Sequence, residues 1–93
     1  MSDVEGLLAR ALAPVDPPED LVSGREQLAR VLDGVMALPD DRREALIMRF
    51  ALGMDNREIA RALVRSEGAT KVLIHRAIRQ LEGIVATDGG ERA

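Results

Sequence analysis

The chain has 93 residues, with 16 acidic and 13 basic side chains, a formal net charge of −3, one aromatic residue and no cysteine. That is the length of one domain, near the lower size at which an apolar core holds a fold without cross-links. The composition excludes a disulfide framework and a thiolate metal site, argues against a zinc site around the single histidine, and leaves no aromatic surface for stacking bases, as RNA-recognition and single-strand modules use.

The stretch "MSDVEGLLARALAPVDPP" has neither the basic start nor the long apolar run of a secretory signal, and no segment is apolar for the length that crosses a bilayer. A cytoplasmic protein without membrane contact is expected. Every periodic segment has helical spacing and none alternates as a strand would, so the fold class is all-α, a small helical bundle. Val4, Leu7, Leu8, Ala11 and Leu12 form a first apolar stripe, ended by Pro14 and "PVDPPED". A second helix is predicted from about Leu21 to Ala37, with Leu21, Leu28, Val31, Leu32, Val35 and Met36 inward and Gly24 and Gly34 as weak points. After "LPDD", Pro39 suits a first helical turn, and Asp41 with Glu44 three residues on has the form of a capping box. The third helix carries Leu46, Ile47, Phe50 and Ala51 inward until Gly53 stops it. Met36, Met48 and Met54 read as core filler.

"DNRE" repeats the capping signal at Asp55 and Glu58 and opens a short helix bearing Ile59, Ala60 and Leu63. Ser66 can cap the last helix. Two helices joined by so tight a turn, the second longer and basic, outline a helix-turn-helix. An ordinary helical bundle with solvated charges has the same outline. The expected organisation is an acidic N-terminal helix and Pro-rich joint over 1–20, the helix-turn-helix domain over 21–86 and a disordered tail over 87–93.

Charge is unevenly divided. Residues 1–41 hold nine acids against Arg10, Arg25 and Arg30, whereas residues 42–82 hold nine cations against five acids. This suggests a basic working surface with an acidic appendage. The N-terminal helix either covers the apolar side of the bundle or folds against the basic face and screens it.

The run from Leu38 to Leu81 resembles region 4 of bacterial sigma-70-type sigma factors, especially the short extracytoplasmic-function type, and the likeness extends over about residues 31–85. It is carried by "LP" at Leu38 and Pro39, "RREALIMRF" at Arg42 to Phe50, Gly53, "REIARAL" at Arg57 to Leu63, "SEG" at Ser66 to Gly68, Lys71, "HRA" at His75 to Ala77, and Leu81. The resemblance implies a four-helix domain whose last two helices grip the promoter −35 element of double-stranded DNA. It also implies docking on the flap of the RNA polymerase β subunit. A sigma factor further needs a promoter-melting domain, for which residues 1–30 leave no room, so this chain alone is not expected to initiate transcription.

The last helix departs from the family pattern. Val64 stands where the family reads Gly, and Arg65 where an apolar residue follows. Where the family reads "GTVKSRL", this chain has "GATKVLI": Ala69 replaces a hydroxyl residue, Thr70 an aliphatic, Val72 a small polar residue and Leu73 an Arg. At about 100° per residue, Leu73, Ile74, Ala77 and Leu81 fall within roughly 60° of Thr70 and face the core. Val72, His75, Arg76 and Arg79 face outward, flanked by Lys71 and Ala69. The cations can neutralise phosphates, while Ala69 and Val72 offer at most contact to a thymine methyl. No Arg, Asn or Gln stands at the N-terminal part of the helix, where base edges are met.

Two functions remain open. A DNA-binding, transcription-related protein would use Arg57, Ser66, Ala69, Lys71, Val72, His75, Arg76 and Arg79, with affinity falling steeply in salt. A protein-interaction module would instead bind RNA polymerase, a sigma or anti-sigma factor, or a second copy of itself as a homodimer. In that reading Val72 and the apolar stripe of residues 4–12 contribute contact area. An enzyme is not expected: His75 lies on a basic face, Ser66 is a cap, the carboxylates form no buried pair, and Gly89 and Gly90 lack the strand and helix of a phosphate loop. No cofactor or metal is expected.

Overall fold

The apolar side chains that recur at helical spacing meet in one core. In the computed structural model, which describes residues 4–13 and 25–90, the elements in chain order are α1 (Val4–Ala11), α2 (Arg25–Ala37), α3 (Asp40–Leu46), a π-helical segment (Ile47–Ala51), α4 (Asn56–Leu63) and α5 (Glu67–Gly90). The expectations for the Pro-rich joint, Leu21 to Gly24 and the last three residues lie outside the described residues. The all-α class holds. No described helix is long and apolar enough to cross a membrane.

α5 is the axis of the bundle. Its Thr70, Leu73, Ile74, Ala77 and Leu81 are buried, as the spacing predicts, against Val31 and Val35 of α2, Ala45 and Leu46 of α3, and Ile59 of α4. Leu38 fills the corner between α2 and α3. Thr70 is accommodated because its hydroxyl donates to the Ser66 carbonyl at 2.9 Å, so its own polar atom is not left bare in the core.

α1 is part of this core. Val4 and Leu8 are buried, and Leu7, Ala11 and Leu12 pack against the cluster, so α1 sits on α2, α5 and the π-helical segment. The stripe expected to be available to a partner is therefore already used within the chain.

Other expectations are corrected. Leu32 and Met36 point outward, 39% and 64% exposed, because the inward arc of α2 is narrow and taken by Leu28, Val31 and Val35. Met36 is not core filler; Met48 and Met54 are partly buried against the core. Pro39, not Asp41, is the N-cap of α3, and no side chain caps it. Asp41 lies inside the first turn, where a carboxylate still favours the positive end of the helix. The π-helical segment closes with the Leu52 N–H on the Ile47 carbonyl at 3.1 Å, one residue wider than an α-turn. Gly53, at φ +69°, then ends the helix as expected. The α5 backbone stays helical to Gly90, beyond the boundary expected at 86, since no proline interrupts it.

Candidate nucleic-acid interface

The turn between α4 and α5 is built from backbone hydrogen bonds. The Asp55 carboxylate accepts from the Glu58 N–H at 2.8 Å and the Glu58 carboxylate from the Asp55 N–H at 2.9 Å, the reciprocal cap that "DNRE" predicts. At the other end, Val64 adopts φ 57°, ψ 53°, its N–H donates to the Arg61 carbonyl at 3.3 Å, and the Arg65 N–H donates to Ala60 at 2.8 Å. This paired arrangement is a Schellman stop. The Ser66 hydroxyl then accepts from the Ala69 N–H at 3.0 Å and starts α5.

The exposed side of α5 carries the predicted residues: Ala69, Lys71, Val72, His75, Arg76 and Arg79 are all open to solvent. With Val72 and Arg79 along the crest, about 100° per residue puts Lys71 and His75 on one flank, Ala69 and Arg76 on the other. Each flank borders a cleft. On the Arg76 side a depression of about 380 Å³ is lined by Asp41 and Arg42 of α3, Arg65 of the turn, and Ala69, Val72, Leu73 and Arg76 of α5. On the Lys71 side a cleft of about 290 Å³ has an apolar floor of Phe50, Ile74 and Ile78 under Glu5, Arg49, Asn56, Lys71 and His75. The Arg49 guanidinium donates to the Asn56 side-chain carbonyl at 2.8 Å, which holds its cation at this rim.

Three predicted residues sit apart from the clefts: Ser66, which caps α5, and two arginines held in ion pairs. Arg57 opens α4 and lies 3.5 Å from the Glu67 carboxylate, while Arg79 lies 3.8 Å from Glu82. Both arginines are exposed, so either cation can exchange its partner for another anion. The clefts also bring in residues that sequence reasoning missed: Arg42, Arg49, Asn56 and Arg65, with Glu5 and Asp41. Arg65 carried a signal, being polar where the family pattern is apolar. Arg42 and Arg49 had only their membership of the basic half of the chain.

A short capped helix, a left-handed turn and a longer helix with an exposed basic side define a helix-turn-helix domain. Residues 28–81 match the family model described as "Sigma-70, region 4", more than half of the chain. The chain belongs to the sigma-70 region 4 family. It is 37% identical over 71 residues to the ECF RNA polymerase sigma factor BldN of Streptomyces coelicolor, covering 76% of this chain and 27% of that protein. To the ECF RNA polymerase sigma factor SigD of Mycobacterium tuberculosis it is 31% identical over 72 residues, 77% of this chain and 34% of that protein. With the ECF RNA polymerase sigma factor ShbA of Streptomyces griseus the match is 32% over 73 residues, 72% of this chain and 38% of that protein. The chain thus spans between about a quarter and two fifths of the curated relatives it matches. No solved structure matches it.

Proposed function

We propose that this chain binds double-stranded DNA in a transcription-related role, with α5 in the major groove, as in a domain that recognises a promoter −35 element. One observation carries the reading: the exposed crest of α5 has a cationic cleft on each side. A helix lying in the major groove, about 12 Å wide, has a phosphate strand on either hand. Cations on both flanks suit that geometry, and a helix meeting anions on one side only would not need them. The crest itself offers Val72 and the N-terminal part Ala69, so phosphate contacts dominate over direct base reading.

Fluorescence anisotropy with a labelled −35-type duplex and a scrambled one, at two salt concentrations, tests this. Binding to both, with a preference for the −35 duplex of about tenfold or less, fits contacts of this kind, since only good polar pairs to base edges discriminate strongly. No binding to either duplex at low salt would overturn the reading.

A second reading rests on Leu32 and Met36, which stand one helical turn apart on the outer side of α2, away from α5. This small apolar patch suits a protein partner: the flap of the RNA polymerase β subunit, a sigma or anti-sigma factor, or a second copy of this chain. Sedimentation of the chain alone and with the isolated flap separates these partners, and Met36→Lys should abolish whichever association is found. A cytoplasmic location accords with either role.

A further inference from the structure

The residue after the left-handed position of a Schellman stop ordinarily folds an apolar side chain back onto the helix it ends. Here that residue is Arg65. Its guanidinium turns instead toward α3, where it meets the Asp41 carboxylate at 3.0 Å. Both side chains are well exposed, 39% and 44%, and a pair so placed adds little stability. The turn has given up an apolar contact for a cation held at a fixed place on the surface.

That place is the rim of the Arg76-side depression. Arg42 reaches it from α3 with its guanidinium donating to the Gln80 side-chain carbonyl, and Arg76 stands on α5 with no partner among the described residues. Three guanidinium groups and one carboxylate therefore surround one hollow, a net positive site that is wide enough for a tetrahedral anion. Ala69 and Val72 form its α5 wall and add no competing polar group.

We propose that Arg65, with Arg76 and Arg42, seats a backbone phosphodiester of the DNA strand that runs along the α3 side of α5, and that Asp41 positions the Arg65 guanidinium for it. This rests on the DNA-binding reading above and extends the contact surface beyond α4 and α5 to the turn and α3. It also places a fixed cation beside the stretch of α5 that has lost its polar readers.

The test uses the full chain in anisotropy titrations against the same two duplexes between 50 and 200 mM salt, comparing wild type with Arg65→Gln, Arg65→Lys and, as a control on the other flank, Lys71→Gln. Circular dichroism melts confirm that each variant is folded; the stop itself is made by backbone groups that these changes leave in place. Arg65→Gln is expected to weaken both duplexes alike, by about 3- to 10-fold at low salt, and to reduce the steepness of the log–log salt plot by about one. Arg65→Lys should keep the slope while losing part of the affinity, because the charge remains but the planar fork does not. If Arg65→Gln matches wild type in affinity and slope while Lys71→Gln weakens binding, the phosphate seat is wrong and the DNA reading stands. If wild type binds no duplex, both fall together.

Discussion

Val64 and Gly53 occupy the same region of backbone space with opposite chemistry. Gly53, at φ +69°, has no neighbouring atom within 4 Å of where a Cβ would stand, so Gly53→Ala tests backbone conformation alone. It should destabilise by about 1 kcal/mol, the usual cost of an L side chain in the left-handed region. Val64 already bears that cost, with a β-branched side chain at φ 57° that is 89% exposed and packs on nothing. Val64→Gly should therefore stabilise by about 1 kcal/mol after the greater freedom of glycine in the unfolded chain is deducted, and raise the melting temperature by roughly 4–8 °C. Thermal melts of the two variants check both signs. An unchanged or lower melting temperature for Val64→Gly would mean that Val64 makes a contact worth as much as its strain. The opposite signs matter for function because Val64 is the hinge between α4 and the helix proposed to enter DNA.

The helices pack through points that composition does not announce. Gly34 reads as a weakness in α2, yet a Cβ there would stand 2.5 Å from Leu81 Cδ1, and Leu81 is itself fully buried. Gly34→Ala should destabilise by about 1 kcal/mol, overpacking outweighing the gain in helix propensity. Gly83, exposed on α5 with open space around it, is the control: Gly83→Ala should stabilise by roughly 0.5–1 kcal/mol. Urea titrations of the two variants give these differences directly. For α1, Leu8→Ala should cost about 2–5 kcal/mol, since Leu8 is fully enclosed by the rest of the bundle. A loss below 1 kcal/mol would mean that α1 is a dispensable flap. Much of this architecture was legible in the sequence: the caps at Asp55 and Ser66 rest on short-range chemistry, and the inward face of α5 on periodicity. What escaped depends on neighbours distant in the chain. Leu32 and Met36 fit the inward period, but α2 has too few partners to cover them. Asp41 matches a capping pattern, but Pro39 takes the N-cap position two residues earlier. The clefts were only half visible, because no pattern within α5 shows that Arg42, Arg49 and Arg65 stand beside it.

At the scale of the molecule, a net charge of −3 coexists with a face that gathers five of its cations, Arg42, Arg49, Arg65, Lys71 and Arg76, around one helix. Local charge governs binding to a polyanion. If about four phosphates are engaged, raising salt from 50 to 200 mM should weaken duplex binding by roughly a hundredfold. Each cleft also holds one carboxylate, and their situations differ: Asp41 is paired with Arg65, whereas Glu5 of α1 has no ion-pair partner among the described residues. Glu5→Lys should therefore tighten binding several-fold at low salt, with the gain shrinking as salt screens it. Equal affinities for Glu5→Lys and wild type would confine α1 to its packing role. The π-helical segment bears on a different matter, the tolerance of the chain to changes in length. It holds one residue more than the α-helix it continues, so deletion of one residue between Ile47 and Ala51 would restore an ordinary turn and leave Ala45 and Leu46 facing the core. Insertions and deletions elsewhere in these helices rotate an apolar face into water; here the chain has a site where its length can change by one and the bundle can still close.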